Sequence, residues 1–137
     1  MRYKRPDQKN AESLVHAAKE EMAFTLSLER NGQSGATIVR NIYECFRMLG
    51  DALLIAQGVE SEDHVAPIKE LMNIKADTKR PINLIDSLRR LRHNINYYGY
   101  RPNMAEVHDA ISIAESCFDP LFMAVKKKIT EENGKKI

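Results

Sequence analysis

The chain has no tryptophan, and only 7% of its 137 residues are aromatic. It has two cysteines, Cys45 and Cys117, each inside an apolar helical pattern, which reads as two buried thiols in a reducing cytosol, with a disulfide or a metal site as the alternative; no CxxC pair is present. Its four histidines, at positions 16, 64, 93 and 108, are too scattered to form a ligand motif, so no metal site is expected. There is no uninterrupted apolar run of about 18 residues, so no membrane-spanning helix is expected. The opening MRYKRPDQKN is polar and basic with no apolar segment behind it, unlike a secretory signal. Strand signals are also missing: no period-two alternation occurs, and no hairpin dipeptide lies between apolar runs. Phosphate-cradling glycine loops, nucleophile elbows and paired-carboxylate motifs are absent, so no cofactor is implied and the familiar enzyme classes have no foothold.

What is present is helical. Apolar residues make up 43% and charged residues 29%, ordinary values for a folded domain. The length suits one domain, residues 1–137, with its core between about 9 and 128 and both ends frayed. The spacing predicts a first helix over about 10–30 with a stripe of Leu14, Ala18, Met22 and Leu26, stopped by Asn31 and Gly32. A second, capped by Ser34, runs to about Gln57 on Ile38, Ile42, Cys45, Phe46, Leu49 and Leu53. Gly58 then suits a left-handed cap. Gly50, inside that helix, costs about 1 kcal/mol relative to alanine and fits a close helix packing. A short third helix covers about 64–74, with Pro67 in its first turn. A fourth opens at Pro81 and ends at Gly99. Asn103 and Glu106 resemble a capping box for a fifth, which Pro120 should kink or break before Leu121, Phe122 and Met123 resume the core. Lys126, Lys127 and Lys128 should fray. The fold expected is all-α, an antiparallel bundle of about five helices.

Net charge is only +2, but it is unevenly spread. Between Lys79 and Arg101 stand six Lys or Arg (79, 80, 89, 90, 92 and 101) against Asp86 alone. At about 100° per residue, the fourth helix puts Leu84, Leu88, Leu91 and Ile95 on one stripe. Arg89, His93 and Asn96 then lie opposite, with Arg92 and Tyr97 at the edges and Tyr98 near the core. Two guanidiniums and an imidazole on adjacent ridges would hold a phosphate. Tyr97 could stack a nucleobase. The alternative is a solvated polar face whose tyrosines cover the core margin. Tyr43 and Glu44 could face this helix from the second.

Three features together resemble the HEPN family, the higher eukaryotes and prokaryotes nucleotide-binding domains. They are the order of five helices, the segment IYECFRMLGDALLIAQGVESEDHVAPIKEL, and the motif LRRLRHNINYYGY leading into the last helix. The resemblance spans about residues 9–128. It implies RNA or nucleotide binding, a homodimer, and metal-independent RNA cleavage by a motif arginine and histidine. By position, Arg92 matches the arginine and His93 the polar residue after it. The family histidine, five residues on, is Tyr97 here. A phenol has an ordinary pKa near 10 against about 6.5 for imidazole, so Tyr97 is a poor base at neutral pH. The resemblance therefore implies a cytoplasmic, toxin-like binding module, paired with a nucleotidyltransferase partner. Arg89, Arg92, Asn96 and Tyr97 would contact RNA or nucleotide. Two alternatives stand beside it: an active endoribonuclease in which Arg92 and His93 are catalytic, and a structural dimerisation module.

Overall fold

The structure, a computed structural model, describes residues 2–60, 63 and 65–134. Among these the chain forms α1 (Gln8–Ser27), α2 (Gly35–Gln57), α3 (Val65–Met72), α4 (Leu84–Tyr98) and α5 (Met104–Gly134). The all-α bundle is therefore as expected. The addition is a two-residue antiparallel pair, β1 (Arg2–Tyr3) with β2 (Val59–Glu60), in register Arg2 to Glu60 and Tyr3 to Val59. Such a pair is too short to show in hydropathy.

Helix α2 lies at the centre and packs against α1, α3, α4, α5 and β2. Its sequence is apolar on most of its circumference: Ile38, Val39, Ile42, Tyr43, Cys45, Phe46, Leu49 and Ala52 are all buried. A helix so widely apolar must be surrounded on most sides, and its polar strip of Arg40, Glu44, Arg47 and Asp51 is the side left toward water. Each large aliphatic or aromatic side chain so buried contributes about 1.5–3 kcal/mol. Gly50 meets the backbone of α3, where an added Cβ would collide with the Pro67 carbonyl. That contact explains a glycine in mid-helix. Gly58 caps the helix at φ 80°, and an added Cβ there would strike the Lys4 carbonyl. The N-terminal segment, outside the core, is held to this end of α2 by Lys4 N–H donating to the Gly58 carbonyl (2.6 Å) and Asp7 N–H to Ile55 (3.1 Å).

Several boundaries differ from the sequence reading. Asp7 caps α1, its carboxylate accepting from the Asn10 N–H at 3.0 Å. The helix ends at Ser27, three residues before Arg30, with Leu28 extended at ψ 143°. The Ser27 hydroxyl donates to the Phe24 carbonyl at 2.6 Å, competing with the helix ladder. Ala11, Val15, Ala18, Met22 and Thr25 are buried, whereas Leu14 and Leu26 are half-buried flanks. Ser34 does not cap α2 with its side chain; its hydroxyl donates instead to the Glu29 carbonyl at 2.5 Å and closes the turn before the helix.

Pro120 does not break α5, which is helical to Gly134. An internal proline costs about 3 kcal/mol, and burial of Leu121, Phe122, Val125 and Ile129 beyond it outweighs that loss. Met123 points away from this face and is 61% exposed, contrary to expectation. The lysines at 126–128 do not fray either, since buried Val125 and Ile129 bracket them. The capping box is as read: Asn103 N–H donates to Glu106 Oε1 (3.0 Å), and Glu106 N–H donates to Asn103 Oδ1 (2.8 Å).

Both cysteines are buried free thiols. Burial, reinforced by the charges of Glu21 and Glu44, pushes the Cys45 thiol from an ordinary 9.0 up to about 12. Between those values the native state holds a proton that the unfolded chain releases, so stability is full below about 9 and falls as pH rises toward 12. Chemical denaturation at about pH 8 and pH 10.5 is expected to show this alkaline loss, and Cys45→Ala to show a smaller one. In the same assay, Gly50→Ala is expected to lose roughly 2 kcal/mol, because overpacking against backbone exceeds the helix-propensity gain.

Candidate nucleic-acid interface

Helix α4 rests on α2, with a smaller contact to α5. Its buried residues are Ile85, Leu88 and Ile95. Leu84 and Leu91, placed on the core stripe by sequence, are half-buried. The true inward face is therefore turned by about 50° from the leucine stripe, and Arg92 falls inside it.

The reason is Tyr43. Its side chain is fully buried on α2, and the Arg92 guanidinium carbon sits 5.1 Å from the ring centroid. A guanidinium over an aromatic face contributes about 0.5–2 kcal/mol. Arg92 is thus half-buried between α2 and α4, not on the edge of an outward polar face. Burial raises the Tyr43 phenol above its usual range, and Arg92, Arg89 and Arg47 pull it back. Glu44, the other α2 candidate, pairs with Arg47 one turn along at 3.0 Å.

Arg89 is also engaged. Its Nε donates to Asp86 Oδ1 at 2.9 Å, and Arg90 reaches the other carboxylate oxygen at 3.5 Å. The hydrogen bond from Arg89 holds the Asp86 carboxyl below its usual range. The two arginines and the single acid of this helix form one local network, so the cationic ridge is partly neutralised.

The outward face is mainly aromatic and amide. His93, Asn96, Tyr97 and Tyr98 all face solvent. Tyr97 is 69% and Tyr98 76% exposed, so Tyr98 does not pack on the core as expected. Tyr98 follows the helix turn away from α2 once Arg92 and Ile95 face it. The His93 ring lies 4.6 Å from the Tyr97 ring and 5.8 Å, edge-on, from Tyr98. Of the residues singled out by sequence, the fold brings His93 and Tyr97 together, leaves Asn96 beside them, and directs Arg92 inward.

Gly99 ends α4 at φ 63°, and the N–H groups of Gly99 and Tyr100 both donate to the Asn94 carbonyl. The chain then turns, and the Tyr100 hydroxyl donates to Glu106 Oε1 at 2.5 Å. That hydrogen bond raises the Tyr100 phenol above its usual range. Behind this turn is a cleft of about 400 Å³ with Ile95 at its base and Gly99, Tyr100 and Arg101 on one side. Gln33, in the turn before α2, and Thr37 and Arg40, near the start of α2, form the other side. Sequence reasoning did not single out Arg40; nothing in local spacing connects it to a residue 61 positions away.

The remaining candidates do not join this region. His16 meets the edge of Phe122 at 6.1 Å between ring centroids. His108 is exposed on α5, and His64 lies outside the described residues. No group of three or more metal-ligating side chains occurs among the described residues, and no helix there is long and apolar enough to cross a membrane. No family model matches the chain, and no curated protein or solved structure does either.

Because Arg92 packs and Tyr97 does not, their alanine variants should separate. Arg92→Ala is expected to lower stability by about 1–2 kcal/mol in urea denaturation. Tyr97→Ala and Asn96→Ala should stay within about 0.5 kcal/mol of the parent chain.

Proposed function

We propose that this chain is a HEPN-like RNA- or nucleotide-binding protein that uses the exposed end of α4 as its contact surface. The observation that carries the reading is the pair of solvent-facing tyrosine rings, Tyr97 and Tyr98, clustered on His93. Exposed rings on a rigid helix are a stacking platform, worth about 1–3 kcal/mol per base in single-stranded nucleic acid. Asn96 beside them offers amide donors and acceptors. Arg89 and Arg92 supply positive potential from behind this surface, although each already has a partner.

Binding is favoured over cleavage. In the ribonuclease reading Arg92 holds the phosphate and His93 moves the proton. That requires Arg92 to leave the Tyr43 ring. The toxin-like role, the nucleotidyltransferase partner and a cytoplasmic location belong to the same proposal. Two free, buried thiols suit a reducing compartment.

A second reading, the homodimerisation module, has its own support. Leu84 and Leu91, both half-buried, and exposed Tyr98 recur every seven residues along one flank of α4. That spacing suits a seam between paired helices.

A single-stranded RNA oligomer titrated in a chelator at two salt concentrations tests the proposal. The parent chain should bind, more weakly at the higher salt. The double variant Tyr97→Ala with Tyr98→Ala should lose about ten- to a hundredfold in affinity. Equal affinity in that variant, or no binding at low salt, would overturn the reading. Cleavage lost on His93→Ala would favour the ribonuclease instead.

A further inference from the structure

The seven arginines between residues 40 and 101 divide by what they touch. Arg47, Arg80, Arg89 and Arg90 each pair with a carboxylate. Arg92 lies on the Tyr43 ring. Arg40 and Arg101 are exposed and meet no carboxylate among the described residues, yet both line the cleft of about 400 Å³ between the start of α2 and the α4–α5 connection. Among the described residues, no aspartate or glutamate lines it. Two like charges facing one hollow repel each other, and an anion placed between them relieves that repulsion.

The rest of the lining narrows the kind of anion. The hollow is near the lower end of the size range for small-molecule sites, about 300–1,000 Å³. Gln33 and Thr37 add neutral hydrogen-bonding groups. Tyr100 is held by its hydroxyl on Glu106, which also takes the Asn103 N–H, so the ring is fixed and Glu106 is already hydrogen-bonded. An added Cβ at Gly99 would meet nothing within 4 Å, so the rim is open beside that ring. Paired guanidiniums suit the oxygens of a phosphate, and a fixed aromatic ring suits a flat base. A carboxylate-bearing peptide would satisfy the arginines but would make no use of the ring.

We infer that this cleft is a mononucleotide site, with Arg40 and Arg101 holding the phosphate and Tyr100 flanking the base. It deepens the RNA-binding proposal by giving the phosphate a place that Arg89 and Arg92, both engaged, do not offer. It lies apart from the Tyr97–Tyr98 surface and can be tested separately.

The test is calorimetric titration of the full chain with AMP, adenosine, inorganic phosphate and an aspartate-rich peptide at low salt. The same titrations are run on Arg40→Gln with Arg101→Gln, and on Tyr97→Ala with Tyr98→Ala. Both arginines are exposed, so the first double variant should keep the helical circular dichroism of the parent. AMP is expected to bind at least about tenfold more tightly than adenosine or phosphate. Loss of both arginines should abolish that preference; its loss in the tyrosine variant instead would overturn the inference in favour of the α4 surface. Equal binding of AMP and adenosine, or unchanged AMP affinity in the arginine variant, would overturn the inference. Tighter binding of the peptide would overturn it in favour of an acidic protein partner. If RNA fails to bind while AMP binds through both arginines, the RNA reading falls and the cleft stands. If RNA binds and AMP does not, the reverse holds.

Discussion

Burial of α2 is the constraint on which the other elements depend. The helix carries apolar side chains on most of its circumference, and only a jacket of α1, α3, α4 and α5 keeps them from water. Close approach is needed on the side facing α3, and Gly50 permits it by offering no side chain to the Pro67 backbone. The same demand explains why α5 continues through Pro120. The apolar residues beyond the proline belong to the jacket, and burying them outweighs a missing hydrogen bond.

The orientation of α4 follows from the one aromatic hydroxyl buried on α2. Tyr43 presents the face of a ring, and a guanidinium covers that face while keeping its own charge. Arg92 therefore occupies a place in the helix where another leucine would otherwise sit. This turns Leu84 and Leu91 to the flank and carries His93, Tyr97 and Tyr98 outward. A packing choice at one pair of residues thus decides which side chains can meet a partner.

Charge in this molecule is arranged in two ways. On α4 it is balanced locally, with Arg89 and Arg90 sharing Asp86. At the cleft it is left unbalanced, because Arg40 and Arg101 come from elements whose nearby acids are engaged elsewhere: Glu44 and Asp51 with Arg47, and Glu106 in its capping box. The proposed aromatic surface and the proposed phosphate site share α4, since Ile95 and Gly99 line the cleft while Tyr97 and Tyr98 face away from the core. One rigid helix could present both to a single extended ligand.

What the sequence determined by itself is what short-range rules govern. The helix count, the left-handed glycines at 58 and 99, the Asn103–Glu106 box and the buried thiols all rest on residues within a turn or two of each other. The boundary of α1 and the side-chain role of Ser34 were missed within that range, because Ser27 and Ser34 hydroxyls chose backbone carbonyls over caps. Only the tertiary structure decided the direction of Arg92, the exposure of Tyr98 and Met123, and the placing of Arg40 and Arg101 on one cleft. Periodicity fixes a helical face only to within about half a residue step. The choice within that margin belongs to the partner across the interface, here a tyrosine 49 positions earlier in the chain.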